Sequence, residues 1–109
     1  IEPAKNVAES AIQKGIPTLI RFFGKECAAS LNTKADLLIG NNVLSQVPDL
    51  NDFVAGLKMT LKPYGVISFE FHHLLHLIEK NQFDTFYHEH FSYFSLLSTQ
   101  KIFEAHGLT

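Results

Sequence analysis

At 109 residues the chain has room for one domain at most, and a hydrophobic content of 46% is ordinary for a packed core. A formal net charge of -2 without any block of basic residues gives no electrostatic basis for a nucleic-acid partner. No apolar stretch approaches the roughly 20 residues of a membrane span, and a single cysteine, Cys27, excludes an internal disulfide or a cysteine-only zinc site within the chain. Cys27 falls in a predicted helix and reads as a small buried thiol. No signal peptide is visible, so a cytoplasmic, soluble protein is the expectation.

Both ends read as cut from a longer protein: Ile1 as the last residue of one strand, Gly107-Leu108-Thr109 as the start of another. Residues 3 to 14 are predicted helical, with Pro3 in the first turn, Val7, Ala8, Ala11 and Ile12 on one face, and Gly15 as the stop. Thr18 to Phe22 is a strand candidate after Pro17, and Gly24 to Asn32 a short helix with Cys27, Ala28 and Leu31 inward. Ala35 to Gly40 is nearly all apolar and ends in Asn41 and Asn42, the pattern of a strand buried on both faces in a parallel sheet. Asp49 is the expected N-cap of the next helix, Asp52 lies in its first turn, and Leu50, Phe53, Val54, Leu57 and Leu61 recur at helical spacing. Lys62-Pro63-Tyr64-Gly65 should stop that helix, and Val66 to Phe71 form a second buried strand, completing a right-handed βαβ unit. A short helix over Leu74 to Lys80 turns Leu74, Leu75, Leu77 and Ile78 inward. Asn81 to Ser95 is irregular and holds four of the ten phenylalanines. A last helix starts at Ser98 as N-cap, with Leu97 and Ile102 as a hydrophobic staple, and ends at Gly107.

Ligands of such sheets bind beyond the carboxyl ends of the strands, which places Asn41 and Asn42 where a ligand sits. Asparagine also favours turns, because its side chain bonds nearby backbone. Glu2 follows a strand end directly, where nucleotide-binding sheets carry an acidic acceptor for ribose hydroxyls; a solvated charge at a helix start is the plainer reading. Of Phe22 and Phe23, one should pack in the core and the other can lie against a planar ring. The densest cluster is Tyr87-His88-Glu89-His90, followed by Phe91, Ser92 and Tyr93. An imidazole can take or give a proton near neutrality, a neighbouring carboxylate can orient it, and a phenol can donate to an incipient oxyanion. His72 and His76 are four residues apart, a spacing zinc ligands use, but the glutamate that usually follows the first histidine is replaced by His73. No metal site is expected in this chain.

The stretch ADLLIGNNVLSQVPDLNDFVAGLKMTLKPYGVISFE resembles the fourth strand, following helix and fifth strand of class I S-adenosylmethionine-dependent methyltransferases, with Leu61-Lys62-Pro63-Tyr64-Gly65 as their Leu-Lys-Pro-x-Gly element. The wording from Glu79 to Ser95 is similar to that of C-methyltransferases acting on nucleotide-linked 4-keto-deoxysugars. The resemblance implies an α/β fold over residues 1–109: a partial Rossmann-like parallel sheet with flanking helices, lacking the first strand and the glycine-rich loop that gives the donor its main backbone contacts. It implies that Glu2 holds the ribose hydroxyls of S-adenosylmethionine, that Asn41 and Asn42 face its methionyl end, and that Phe23 lies near adenine. His90 becomes the general base, with Glu89 and Tyr87 bonding the sugar or fixing the base. Zinc belongs only to an amino-terminal region absent from this chain, and the chain alone is expected to bind the donor weakly or not at all. The expected partner is a small sugar nucleotide, with self-association through exposed sheet edges. Three positions depart from the pattern: Tyr64 stands for glycine, and His72 and His76 for proline and arginine. An O- or N-methyltransferase and a non-catalytic interaction module are the competing functions.

Overall fold

A computed structural model describes residues 1–109. Its centre is a parallel pair of strands, β1 (Ala35–Asn41) and β2 (Leu61–Glu70), joined through helix α3 (Leu50–Thr60). Helices α1 (Lys5–Gln13) and α2 (Lys25–Ser30) precede the pair; α4 (Leu74–Glu79) and α5 (Leu96–Ala105) follow it. The molecule is thus a small α/β unit with a parallel sheet flanked by helices, and the predicted βαβ is present.

The register runs from Leu37 opposite Val66 to Asn41 opposite Glu70. Leu38 packs on the core, whereas Leu37 and Ile39 point away from it and are 53% and 67% exposed. The expectation that this strand is buried on both faces is therefore corrected: with one neighbouring strand and helices packed on one side, the outer face stays open. Gly40 lies on the inner face because a Cβ there would stand 2.1 Å from the Phe69 ring.

The core beneath the sheet is made by Leu44, Phe53, Val54, Leu57, Phe94 and Leu108. A chain of edge-to-face contacts runs Phe23–Phe53–Phe69–Phe103, with ring centroids 5.5, 6.0 and 5.9 Å apart. Each such pair adds roughly 0.5–1.5 kcal/mol beyond area burial, so the chain ties the segment before α2 to α3, β2 and α5. Gly56 lets α3 approach α2, since a Cβ would meet the Gly24 carbonyl carbon at 2.7 Å. Asp49 caps α3 as predicted, accepting from the Asp52 amide at 2.9 Å, an interaction of about 1 kcal/mol. Asp52 turns outward and accepts from the Lys25 amide at 3.3 Å, so it also serves the start of α2.

Several boundaries differ from the sequence reading. Thr18 to Phe22 forms no strand; one amide, from Glu2 to the Leu19 carbonyl at 3.0 Å, reaches it. Ile1 and Gly107-Leu108-Thr109 are likewise outside any strand. Lys62-Pro63-Tyr64-Gly65 does end the helix, but lies inside β2, where the ladder is irregular between Ala35 and Leu37 and tolerates a proline that cannot donate. Of the apolar face of α1 only Ala8 is buried, and of that of α4 only Leu77. Leu75 and Ile78 are exposed because a single turn and a half of helix offers the core just one row. The N-cap of α5 is Ser95, not Ser98: the Ser95 hydroxyl accepts from the Ser98 amide at 3.2 Å, and the Ser98 hydroxyl accepts from the Ser95 amide at 3.0 Å. That reciprocal box moves the helix start three residues earlier and leaves Leu97 exposed, so the staple with Ile102 does not apply.

Helix ends are closed alike. After α5, Gly107 at φ +68 and Leu108 return amides to the carbonyls of Glu104 and Phe103. After α4, Asn81 at φ 49 and Gln82 do the same to Ile78 and Leu77. This left-handed closure fixes where the irregular segment carrying Tyr87 to His90 leaves α4.

Candidate functional site

At the carboxyl end of β1 a cavity of about 480 Å³ is lined by Glu2, Phe23, Asn41, Asn42 and Gln46 over a floor that includes Leu38, Phe53 and Phe69. The four residues assigned to the donor from sequence thus surround one hollow. A larger hollow of about 710 Å³ lies near the start of β2 and the end of α5, with Lys34, Lys58 and Lys62 in its wall. Two of those lysines are engaged: Lys62 pairs with Asp36 at 2.7 Å and Lys58 donates to the Gly107 carbonyl at 2.6 Å. In open α/β sheets ligands sit at the carboxyl ends of the strands, so the smaller cavity is the candidate site.

Local structure explains its walls. Asn42 adopts φ 53, a left-handed conformation that asparagine accepts readily, and its amide donates to the Glu70 carbonyl at 2.8 Å. That bond extends the ladder one residue past Asn41 and then turns the chain off the sheet. Both asparagines are exposed. Glu2 is half-buried; its Oε1 accepts from the Ala4 amide at 2.8 Å, so the helix-start reading describes one oxygen and the other keeps its acceptor sites. Phe23 combines the two roles foreseen for the phenylalanine pair, packing on Phe53 and lining the cavity, while Phe22 is 82% exposed. A carboxylate acceptor, two carboxamides and an aromatic wall match the hydroxyls, amino-acid end and adenine of S-adenosylmethionine, so the donor set fits that group.

The histidine cluster lies on the segment between α4 and α5. His90 is 8% exposed. Its Nδ1 is 3.0 Å from the Thr85 carbonyl oxygen, which can only accept, so Nδ1 carries the hydrogen. In the neutral ring the lone pair is therefore on Nε2, and the Tyr87 hydroxyl donates to it across 2.8 Å. Tyr93 donates to the same Thr85 oxygen at 3.2 Å, filling its second lone pair. Glu89 is exposed, and neither of these bonds of the His90 ring goes to it. His72, just past β2, has its ring centroid 5.7 Å from that of His90.

The two groups are joined through Ser45. Its carbonyl, in a 3-10 turn at Leu44–Gln46, accepts from the Phe91 amide at 2.8 Å and the Ser92 amide at 3.3 Å. The turn that leaves the cavity after Asn42 therefore holds the residues immediately after His90. His90, Glu89 and Tyr87 do not themselves line the cavity. His76 has Glu79 at 3.3 Å and the His73 ring at 5.3 Å. Cys27 is buried and unpaired.

Sequence reasoning missed Gln46, Ser45 and Thr85, and named Tyr93 in the cluster without a role. Gln46 sits in a turn too short for any periodicity to reveal its direction. Ser45 and Thr85 act through main-chain carbonyls, which residue type does not report.

A family model described as a methyltransferase domain matches residues 4–109. The chain is 38% identical over 111 aligned positions to the C-methyltransferase NovU of Streptomyces niveus, an alignment covering 99% of this chain and 26% of that protein. The chain thus spans about a quarter of the length of that relative.

Proposed function

The chain belongs to the methyltransferase-domain family, and we propose that residues 1–109 form part of the core of an S-adenosylmethionine-dependent C-methyltransferase acting beside the ketone of a nucleotide-linked deoxysugar. The observation that carries the reading is the link through Ser45, which joins a cavity suited to the donor to a buried imidazole whose lone pair is directed at a phenol. The name of the Streptomyces relative supports carbon as the methylated atom.

When bound, S-adenosylmethionine supplies an electrophilic methyl group on a sulfonium. Glu2 would accept from its ribose hydroxyls, Asn41 and Asn42 would meet its amino-acid end, and Phe23 would lie beside its adenine. Carbon next to a ketone becomes nucleophilic once its weakly acidic proton is removed and charge on the carbonyl oxygen is stabilised. His90 gains a proton on Nε2 as the carbon is deprotonated, and the Thr85 carbonyl holds the resulting imidazolium through Nδ1–H. Tyr87 hydrogen-bonds this base, while exposed Glu89 is free to bond a sugar hydroxyl. A cytoplasmic location goes with this reading. The free edges of the two-stranded sheet, with Leu37, Ile39 and Val66 exposed on it, are where further strands or a second copy would add.

Donor binding tests the cavity assignment. In the complete polypeptide that carries these residues, Glu2→Ala should weaken S-adenosylmethionine binding by about tenfold or more by calorimetry, the loss expected for hydrogen bonds to a charged acceptor. Unchanged affinity would remove Glu2 from the donor site, and no binding by the parent protein would remove the function.

A further inference from the structure

Resting on the carbon-acid reading above, we propose that Tyr87, not His90, is the group that touches the substrate, and that the proton reaches His90 through the Tyr87 hydroxyl. Three observations combine. The His90 ring is buried, at 8% exposure, whereas Tyr87 is 42% exposed. Both ring nitrogens of His90 are engaged, Nδ1 by Thr85 at 3.0 Å and Nε2 by Tyr87 at 2.8 Å. The tyrosine and histidine rings lie with centroids 4.1 Å apart and the Tyr93 ring meets His90 edge-on at 5.9 Å, so neighbours cover the imidazole. A carbon acid that approached Nε2 directly would have to displace the Tyr87 hydroxyl from its position.

The transfer balances as one concerted exchange. The substrate C–H bond breaks, its electron pair stays on carbon and delocalises to the ketone oxygen, and the proton joins Tyr87 Oη. The original hydroxyl proton leaves Oη for His90 Nε2, whose lone pair forms the new N–H bond. Tyr87 ends as a neutral phenol, His90 as an imidazolium still donating to Thr85, and the substrate as an enolate. The phenol thus serves as a hydrogen-bonded bridge, and the buried ring as its proton sink.

Exchange of the substrate proton tests this without methyl transfer. The complete polypeptide is held in D2O with a nucleoside-diphosphate 4-keto-deoxysugar and S-adenosylhomocysteine, and deuterium entering carbon is followed by NMR. Tyr87→Phe and His90→Gln should each slow exchange by about a hundredfold or more, and the double variant should be no slower than either. Tyr87→Phe exchanging within a few-fold of the parent while His90→Gln does not would overturn the bridge and leave His90 as direct base. If neither substitution slows exchange, the bridge and the assignment of His90 both fail; if the parent itself shows none, the carbon-acid reading fails. Tyr87→Phe retains the ring, and circular dichroism checks its fold. Should that variant unfold, the parent decides: the bridge moves a solvent-exchangeable proton and requires a normal solvent isotope effect on carbon deprotonation, and an effect of unity would overturn it.

Discussion

His90→Asn should reduce methylation of carbon by about 10²–10⁴-fold, the range that a positioned general base contributes. Asparagine approximates the size of imidazole and can donate to the Thr85 carbonyl as Nδ1 does, so the loop can keep its shape while losing its proton acceptor. Donor affinity should be unchanged, because His90 does not line the cavity that holds Glu2, Asn41 and Asn42. The split between lost turnover and retained binding, measured by steady-state kinetics and calorimetry on the same protein, marks a chemical role. An enzyme methylating oxygen or nitrogen need not remove a carbon-bound proton, and would lose far less. A loss below tenfold would therefore favour that alternative over the carbon acid.

Leu44→Ala should be the most damaging of the simple core truncations. Leu44 is 1% exposed, packs in the main cluster with Phe53, Val54 and Phe94, and sits in the turn between Asn42 and Ser45. Truncating a fully buried leucine costs about 2–5 kcal/mol, a large part of the stability of a small domain. At this chain length that corresponds to a fall in Tm of roughly 15 °C. Ile39→Ala on the outer sheet face should cost under about 1 kcal/mol, because Ile39 is 67% exposed and loses little buried area. Equal losses from the two substitutions in thermal melts would mean that the outer face is covered in solution.

The contrast between these two residues also shows what could be read from the chain. The βαβ unit was legible because β1 is a short apolar run, α3 repeats its apolar positions at helical spacing, and Asp49 announces the helix start. The same apolar run does not disclose how many layers cover it, so Ile39 was expected inside and lies outside. Ser95 and Ser98 form a mutual box, and two serines three residues apart do not reveal by composition which one precedes the helix. Glu2, Phe23, Asn41 and Asn42 line one hollow, but only the asparagines stand at a strand end; the strands expected before Glu2 and Phe23 do not form. The chemistry at His90 was only half legible. Residue types announced an imidazole beside a phenol, but the tautomer is set by a backbone oxygen of Thr85, and the link to the cavity by one of Ser45.

The position of the transferred methyl group bears most directly on the whole account. With S-adenosylmethionine carrying a 13C methyl and a nucleoside-diphosphate 4-keto-deoxysugar as acceptor, two-dimensional NMR of the product should show the label bonded to the carbon adjacent to the ketone. A label found on a hydroxyl oxygen or an amine nitrogen would contradict it.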